Sequence, residues 1–112
     1  MSTVSPLPAL DDPVRLFSAL GDPTRLAIVS RLADGAPRSI TTLADDTHLT
    51  RQAVTKHLHV LNAAGLVRHT RAGRESRYAF NRERLAAAQG YLEAISAQWD
   101  QAIERLRCLV ED

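Results

Sequence analysis

The 112-residue sequence holds a single cysteine, Cys108, so no internal disulfide can close and no cysteine pair exists to begin a zinc ribbon or finger. No apolar run approaches the eighteen or so residues that a membrane span requires, and the first residues lack the basic-then-apolar layout of a secretion signal. A cytoplasmic chain with no membrane partner is therefore expected. Glycine-rich phosphate loops, nucleophile elbows, metal triads and internal repeats are missing. Asp45 and Asp46 are neighbours on a predicted helix and point apart, which makes them poor partners for acid and base work. The expectation is a protein that is not an enzyme and needs no cofactor.

With 45% hydrophobic residues, the composition is that of an ordinary globular chain, and the length suits one domain with a modest core. Met1 to Ala9 are polar, small and proline-bearing, which predicts a flexible arm over 1–11. Asp12-Pro13 and Asp22-Pro23 each set a capping carboxylate before a proline that needs no amide partner, so two helices should start there. The first would carry Val14, Phe17 and Leu20 inward, and the second Leu26, Val29, Leu32 and Ala33 before stopping at Gly35. A third, short helix from Ser39 or Ile40 to about Thr47 would bury Ile40, Leu43 and Ala44. It lies only a few residues before a helix capped by Thr50 and ended by Gly65, a helix-turn-helix arrangement over about 39–64.

At about 100° per residue, Val54, His57, Leu58 and Leu61 fall on one side of that last helix, the core side. Arg51, Gln52, Thr55, Lys56, His59 and Asn62 fall on the other. An isolated helix with such a face is more often merely solvated, but the next residues change the balance. Two short strands over 66–81, joined by a four-residue loop Ala72-Gly73-Arg74-Glu75, form a predicted hairpin, with Tyr78 and Phe80 on one face and Arg77 and Ala79 on the other. Residues 51–82 contain seven basic residues and one acidic, a net +6, which leaves the rest of the chain at −5. The overall +1 thus conceals a dipolar chain whose positive part carries the groove-fitting side chains.

The tail has a different period. Leu85, Ala88, Leu92, Ile95, Trp99, Ala102, Leu106 and Leu109 are spaced alternately by three and four, a heptad seam that Ile103 and Val110 widen. A stripe that wide can serve its own domain and a second subunit, so homodimerisation is expected; packing only on the chain's own first helix is the plainer alternative. Gly90 is a place where this helix can kink or break.

Leu20-Gly21-Asp22-Pro23-Thr24-Arg25, Val54-Thr55-Lys56-His57-Leu58 with Leu61, Ala64-Gly65-Leu66-Val67, and Gly73-Arg74 before Tyr78 together resemble the ArsR/SmtB family of bacterial repressors over about residues 12–110. The resemblance implies a mainly α fold with a small β-hairpin: a winged helix-turn-helix of about five helices, dimeric through its first and last helices, that represses transcription by occupying an operator. Tyr91-Leu92, Trp99 and Leu106 also resemble members not known as metal sensors. Where metal-sensing relatives open a helix with Cys-x-Cys, this chain has Ser39 and Thr41, and no histidine follows His69 to build the site other relatives carry on the last helix. His57 and His59, two apart on a helix, cannot clamp one ion. No metal site is expected. His48 stands where relatives often have glycine, and a helix-terminal histidine interacting with carbonyls is the plain explanation.

The resulting organisation is an arm over 1–11, a DNA-binding core over 12–83 with its wing at 66–81, and a dimerisation helix over 84–112. Arg51, Gln52, Thr55 and His59 are expected to read bases; Lys56, Arg68, Arg71, Arg74 and Arg77 are expected to hold phosphates or, for Arg74, to enter the minor groove. Val14, Phe17, Leu92, Ile95, Trp99, Ala102, Leu106 and Leu109 are the expected dimer contacts. Double-stranded operator DNA and a second copy are the partners; no small-molecule effector can be named. A protein-interaction or ligand-gated module acting through the Trp99 stripe is the alternative, with redox switching at Cys108 a minor variant.

Overall fold

The computed structural model describes residues 10–111, so most of the expected arm lies outside the described residues. Five helices and three short strands follow in the order α1 (Pro13–Leu20), α2 (Pro23–Leu32), β1 (Arg38–Ser39), α3 (Ile40–Thr47), α4 (Arg51–Ala63), β2 (Val67–Ala72), β3 (Glu75–Phe80) and α5 (Arg82–Glu111). Asp12–Leu85 form one compact unit, and α5 from Ala86 onward belongs to a second.

Both Asp-Pro starts are seen. The Asp12 carboxylate accepts from the Arg15 amide at 3.2 Å and that of Asp22 from the Arg25 amide at 2.9 Å, each satisfying an amide of the first turn that has no helical partner. Ser39 and Thr50 do the same for α3 and α4, accepting from Thr42 and Ala53. Ser39 is thus buried and occupied with capping.

The core of the first unit is aliphatic: Leu16, Ile28, Leu32, Leu43, Val54, Leu58, Leu61, Leu66 and Val67 are almost fully excluded from water. Two inward faces differ from the expected ones. In α1 it is Leu16 and Ala19 that are buried while Val14 stays exposed, and in α2 Ile28 and Leu32 point in while Leu26 and Ala33 point out. Both helices are apolar on more than one side, so spacing alone does not choose the buried one.

β3 lies at the centre of a three-stranded antiparallel sheet in the order β1-β3-β2. Ala72 pairs with Glu75, so the connection is a two-residue turn, Gly73-Arg74, and not the expected four-residue loop. Gly73 takes φ 64°, and glycine at the first central position is the pattern of a II′ hairpin turn.

Helix α5 runs for 30 residues, about 45 Å at 1.5 Å per residue, and passes through Gly90 without interruption. Leu92, Ile95, Leu106 and Leu109 are exposed, and Trp99 leaves 67% of its surface in solvent. Cys108 is exposed and unpaired.

Candidate nucleic-acid interface

The turn between α3 and α4 is tight because His48 adopts a left-handed conformation, φ 58° and ψ 31°, with its backbone amide donating to the Ala44 carbonyl. The residue therefore ends α3 through its backbone, in the conformation that glycine takes most cheaply. Three residues later α4 begins. Its buried side is Val54, Leu58 and Leu61, with His57 half-buried beside them. Arg51, Gln52, Lys56, His59 and Asn62 are exposed on the other side and Thr55 is half-buried.

The far end of α4 is fixed by residues that follow the wing. Gly65 turns the chain with φ 77°; Asn81 Nδ2 donates to the Gly65 carbonyl at 2.9 Å, and Arg84 Nε donates to the Ala64 carbonyl at 3.1 Å. These two contacts satisfy carbonyls at the end of the helix that have no helical donor. Nothing in the local sequence pattern marked Asn81 or Arg84 for this role, because the partners lie 16 and 20 residues away.

Two adjoining clefts share Arg51. One, of about 460 Å³, is lined by Ile40, Arg51, Gln52 and Thr55. The other, of about 450 Å³, is lined by Ser39, Ile40, Thr41, Arg51, Arg74, Glu75 and Ser76. The start of α4 and the tip of the hairpin thus both border the second cleft, and Arg51 and Arg74 bring positive charge to it.

Strand register divides the hairpin arginines. Thr70 opposes Arg77 and Arg68 opposes Ala79, so Arg68 and Arg77 share one face; Arg71 opposes Ser76 and lies on the face of His69 and Tyr78. His69 and Tyr78 stack across the strands, ring centres 4.8 Å apart, and Tyr78 is buried. Arg68 pairs with Glu83 at 3.3 Å and Arg77 with Glu75 at 2.9 Å. Among the described residues, Arg51, Lys56, Arg71 and Arg74 have no carboxylate within ion-pair distance.

Sequence spacing failed to reveal β1, which is only two residues long and pairs through Arg38–Tyr78 and Ser39–Arg77. It ties the start of α3 to the hairpin and so helps to fix where the wing stands relative to the helix-turn-helix. Among the described residues, no three His, Cys, Asp or Glu side chains come together in a metal-sized group, and no helix is long and apolar enough to cross a membrane.

Helix, tight turn and exposed polar second helix, followed by a basic hairpin, define a winged helix-turn-helix DNA-binding regulator. Residues 20–70 match a helix-turn-helix domain family. The chain is 36% identical over 98 residues to the HTH-type transcriptional repressor SmtB of Mycobacterium tuberculosis, an alignment covering 88% of this chain and 70% of that relative. Among solved structures it is similar to an ArsR-like transcriptional regulator from Rhodococcus sp. RHA1, with a TM-score of 0.79, 37% identity and coverage of 87% and 91% of the two chains. It is also similar to the homodimeric winged helix-turn-helix DNA-binding domain of a possible ArsR-family regulator from Mycobacterium bovis, with a TM-score of 0.62, 27% identity and 84% of each chain covered. The chain belongs to the ArsR/SmtB family of transcriptional regulators.

Proposed function

We propose that this protein is a homodimeric repressor that binds an operator controlling its own operon and does not use the family's common metal sites. The observation that carries this reading is the division of α4: Val54, Leu58 and Leu61 are fully buried on one side, and Arg51, Gln52, Lys56 and His59 are exposed on the other. Such a helix fits a major groove, and a two-fold pair would place its half-sites one helical turn, roughly 34 to 36 Å, apart. Arg51, Gln52, Thr55 and His59 select bases; Lys56, Arg68, Arg71 and Arg77 hold phosphates, and Arg74 reaches the minor groove.

Pairing uses Val14 and Phe17 of α1 together with Leu92, Ile95, Trp99, Ala102, Leu106 and Leu109 of α5. The exposure of Val14 at 79% and of Trp99 at 67% in the single chain supports it, since apolar surface of that size is rarely left in water. The homodimeric Mycobacterium bovis relative supports it too. Ser39 and Thr41 supply neither thiolate nor imidazole, which directs the search for an inducing signal away from the start of α3.

The test is footprinting on the DNA upstream of the gene, with sedimentation of the pure chain. Protection of a two-fold symmetric site by a dimer is expected. A stable monomer that protects no site would favour the alternative, in which the Trp99 stripe binds a different protein.

A further inference from the structure

The Arg25 side chain makes three contacts that join α2 to α1 and α4. From the first turn of α2 its Nε donates to the Ala19 carbonyl at 2.7 Å and its Nη2 to the Ser18 carbonyl at 3.4 Å, both at the end of α1. Its Nη1 faces Nδ1 of His57 at 3.4 Å, on α4. A guanidinium has donors only, so this contact is a hydrogen bond in the tautomer whose Nδ1 is free to accept. Asp22 accepts from the Arg25 backbone amide at 2.9 Å, which anchors the turn from which the guanidinium reaches out.

Along the body of α4 the fully buried side chains are Val54, Leu58 and Leu61, and the directional contacts from Asn81 and Arg84 reach only the carbonyls at its far end. Aliphatic contact resists separation strongly but rotation weakly, because it has no preferred direction. A hydrogen bond does have one. Rolling a helix by about 20° moves a point on its outer surface, 5 to 6 Å from the axis, by roughly 2 Å. Base-edge recognition tolerates about 0.5 Å. The bond to His57 leaves the buried side of α4 while Gln52, Lys56 and His59 leave the other, so a direction fixed on one side is fixed on both.

We propose that Arg25 is a positioning residue: through His57 it sets the roll of α4 against the end of α1 and thereby the discrimination between DNA sequences. This rests on the DNA-reading role proposed above. It assigns to the Arg of Asp22-Pro23-Thr24-Arg25 a part in specificity without any contact to DNA.

The experiment uses the full chain and two duplexes, one selected by the wild-type protein from randomised DNA and one of scrambled sequence. Arg25→Lys keeps the charge but cannot span three acceptors; His57→Leu removes the acceptor; His57→Asn restores one near the place of Nδ1. Arg25→Lys and His57→Leu should each cut the selected-to-scrambled affinity ratio about tenfold, the scale of one well-placed base contact. The double variant should be no worse than the worse single, and His57→Asn should recover most of the ratio. If melting temperatures fall while the ratio holds, or if the two losses multiply, Arg25 does not act through His57 and the proposal is overturned. Should Arg25→Lys fail to fold, the comparison of His57→Leu with His57→Asn makes the same decision. A wild type that prefers no duplex sinks the DNA-reading role, and the role of Arg25 with it; a wild type that discriminates beside variants that discriminate equally sinks only Arg25.

Discussion

The Thr55 hydroxyl donates to the Arg51 carbonyl at 2.8 Å, one turn back along α4. Its only proton is thereby taken up inside the helix, and what Thr55 offers outward is a methyl group and a lone pair. Thr55→Val, which keeps the methyl, should change affinity for a selected duplex by less than about 1 kcal/mol, whereas Thr55→Asp should abolish selection by placing a negative charge toward phosphate. Equilibrium binding to selected and scrambled duplexes would check both.

Gln52 and Arg74 should behave differently from one another. Gln52→Ala is expected to relax sequence preference by about 1 to 3 kcal/mol, while Arg74→Ala weakens binding to every sequence and lowers the slope of log K against log salt by about one unit. Equal losses on operator and random DNA in both variants would end this division of labour.

Glu75 holds Arg77 at 2.9 Å beside the wing tip. Removing its charge with Glu75→Gln frees Arg77 and takes a negative charge away from the approaching DNA, so binding to all sequences should tighten and the salt slope should steepen by up to about one unit. Because the pair is exposed, the effect on folding stability should stay below about 1 kcal/mol. Salt titrations and urea melts separate the two effects.

Backbone conformation makes opposite predictions at two turns. Gly65 has φ 77°, and a Cβ there would stand 3.3 Å from Arg84 Nε, so Gly65→Ala should lower stability by about 1 to 2 kcal/mol. His48 occupies similar space at φ 58° with a side chain. His48→Gly should raise stability by about 0.5 to 1 kcal/mol, the strain relieved less the added freedom of the unfolded chain.

Asp22 supplies a pH signature. Hydrogen bonding from the Arg25 amide, helped by the nearby positive groups, holds its carboxyl below the ordinary value of 3.8. A carboxyl whose folded pKa is depressed stabilises the fold above its unfolded value and loses that contribution as pH falls through the folded value. Asp22→Asn still caps the helix but has no charge to lose. The variant should be less stable than wild type at neutral pH, and the two should converge in urea melts below pH 3.8.

How far the sequence foretold this fold depended on whether the governing interaction was local. Helix starts at Asp12, Asp22 and Thr50 were legible because a cap and its amide lie three residues apart. The buried side of α4 was legible because its opposite side is mostly long or hydrogen-bonding side chains. In α2 no such contrast exists, so Ile28 was not picked out as the buried residue. The helix is not broken at Gly90, where a kink or break was one expectation, since the roughly 1 kcal/mol glycine cost is small within 30 helical residues. For the proposed interface the sequence offers candidate residues but not their pairing: which arginines meet carboxylates, and which side of the hairpin each occupies, depends on strand register and on Glu83, 15 residues from its partner.

That register bears on how the wing can meet a duplex. With Arg71 on one flank, Arg68 and Arg77 on the other and Arg74 at the tip, the ribbon presents cations to left, right and front. Laid flat along a single phosphate row, it would turn part of that charge away from the DNA. Stood on end over a minor groove, with the two sugar-phosphate rails on either side, it could engage all of it.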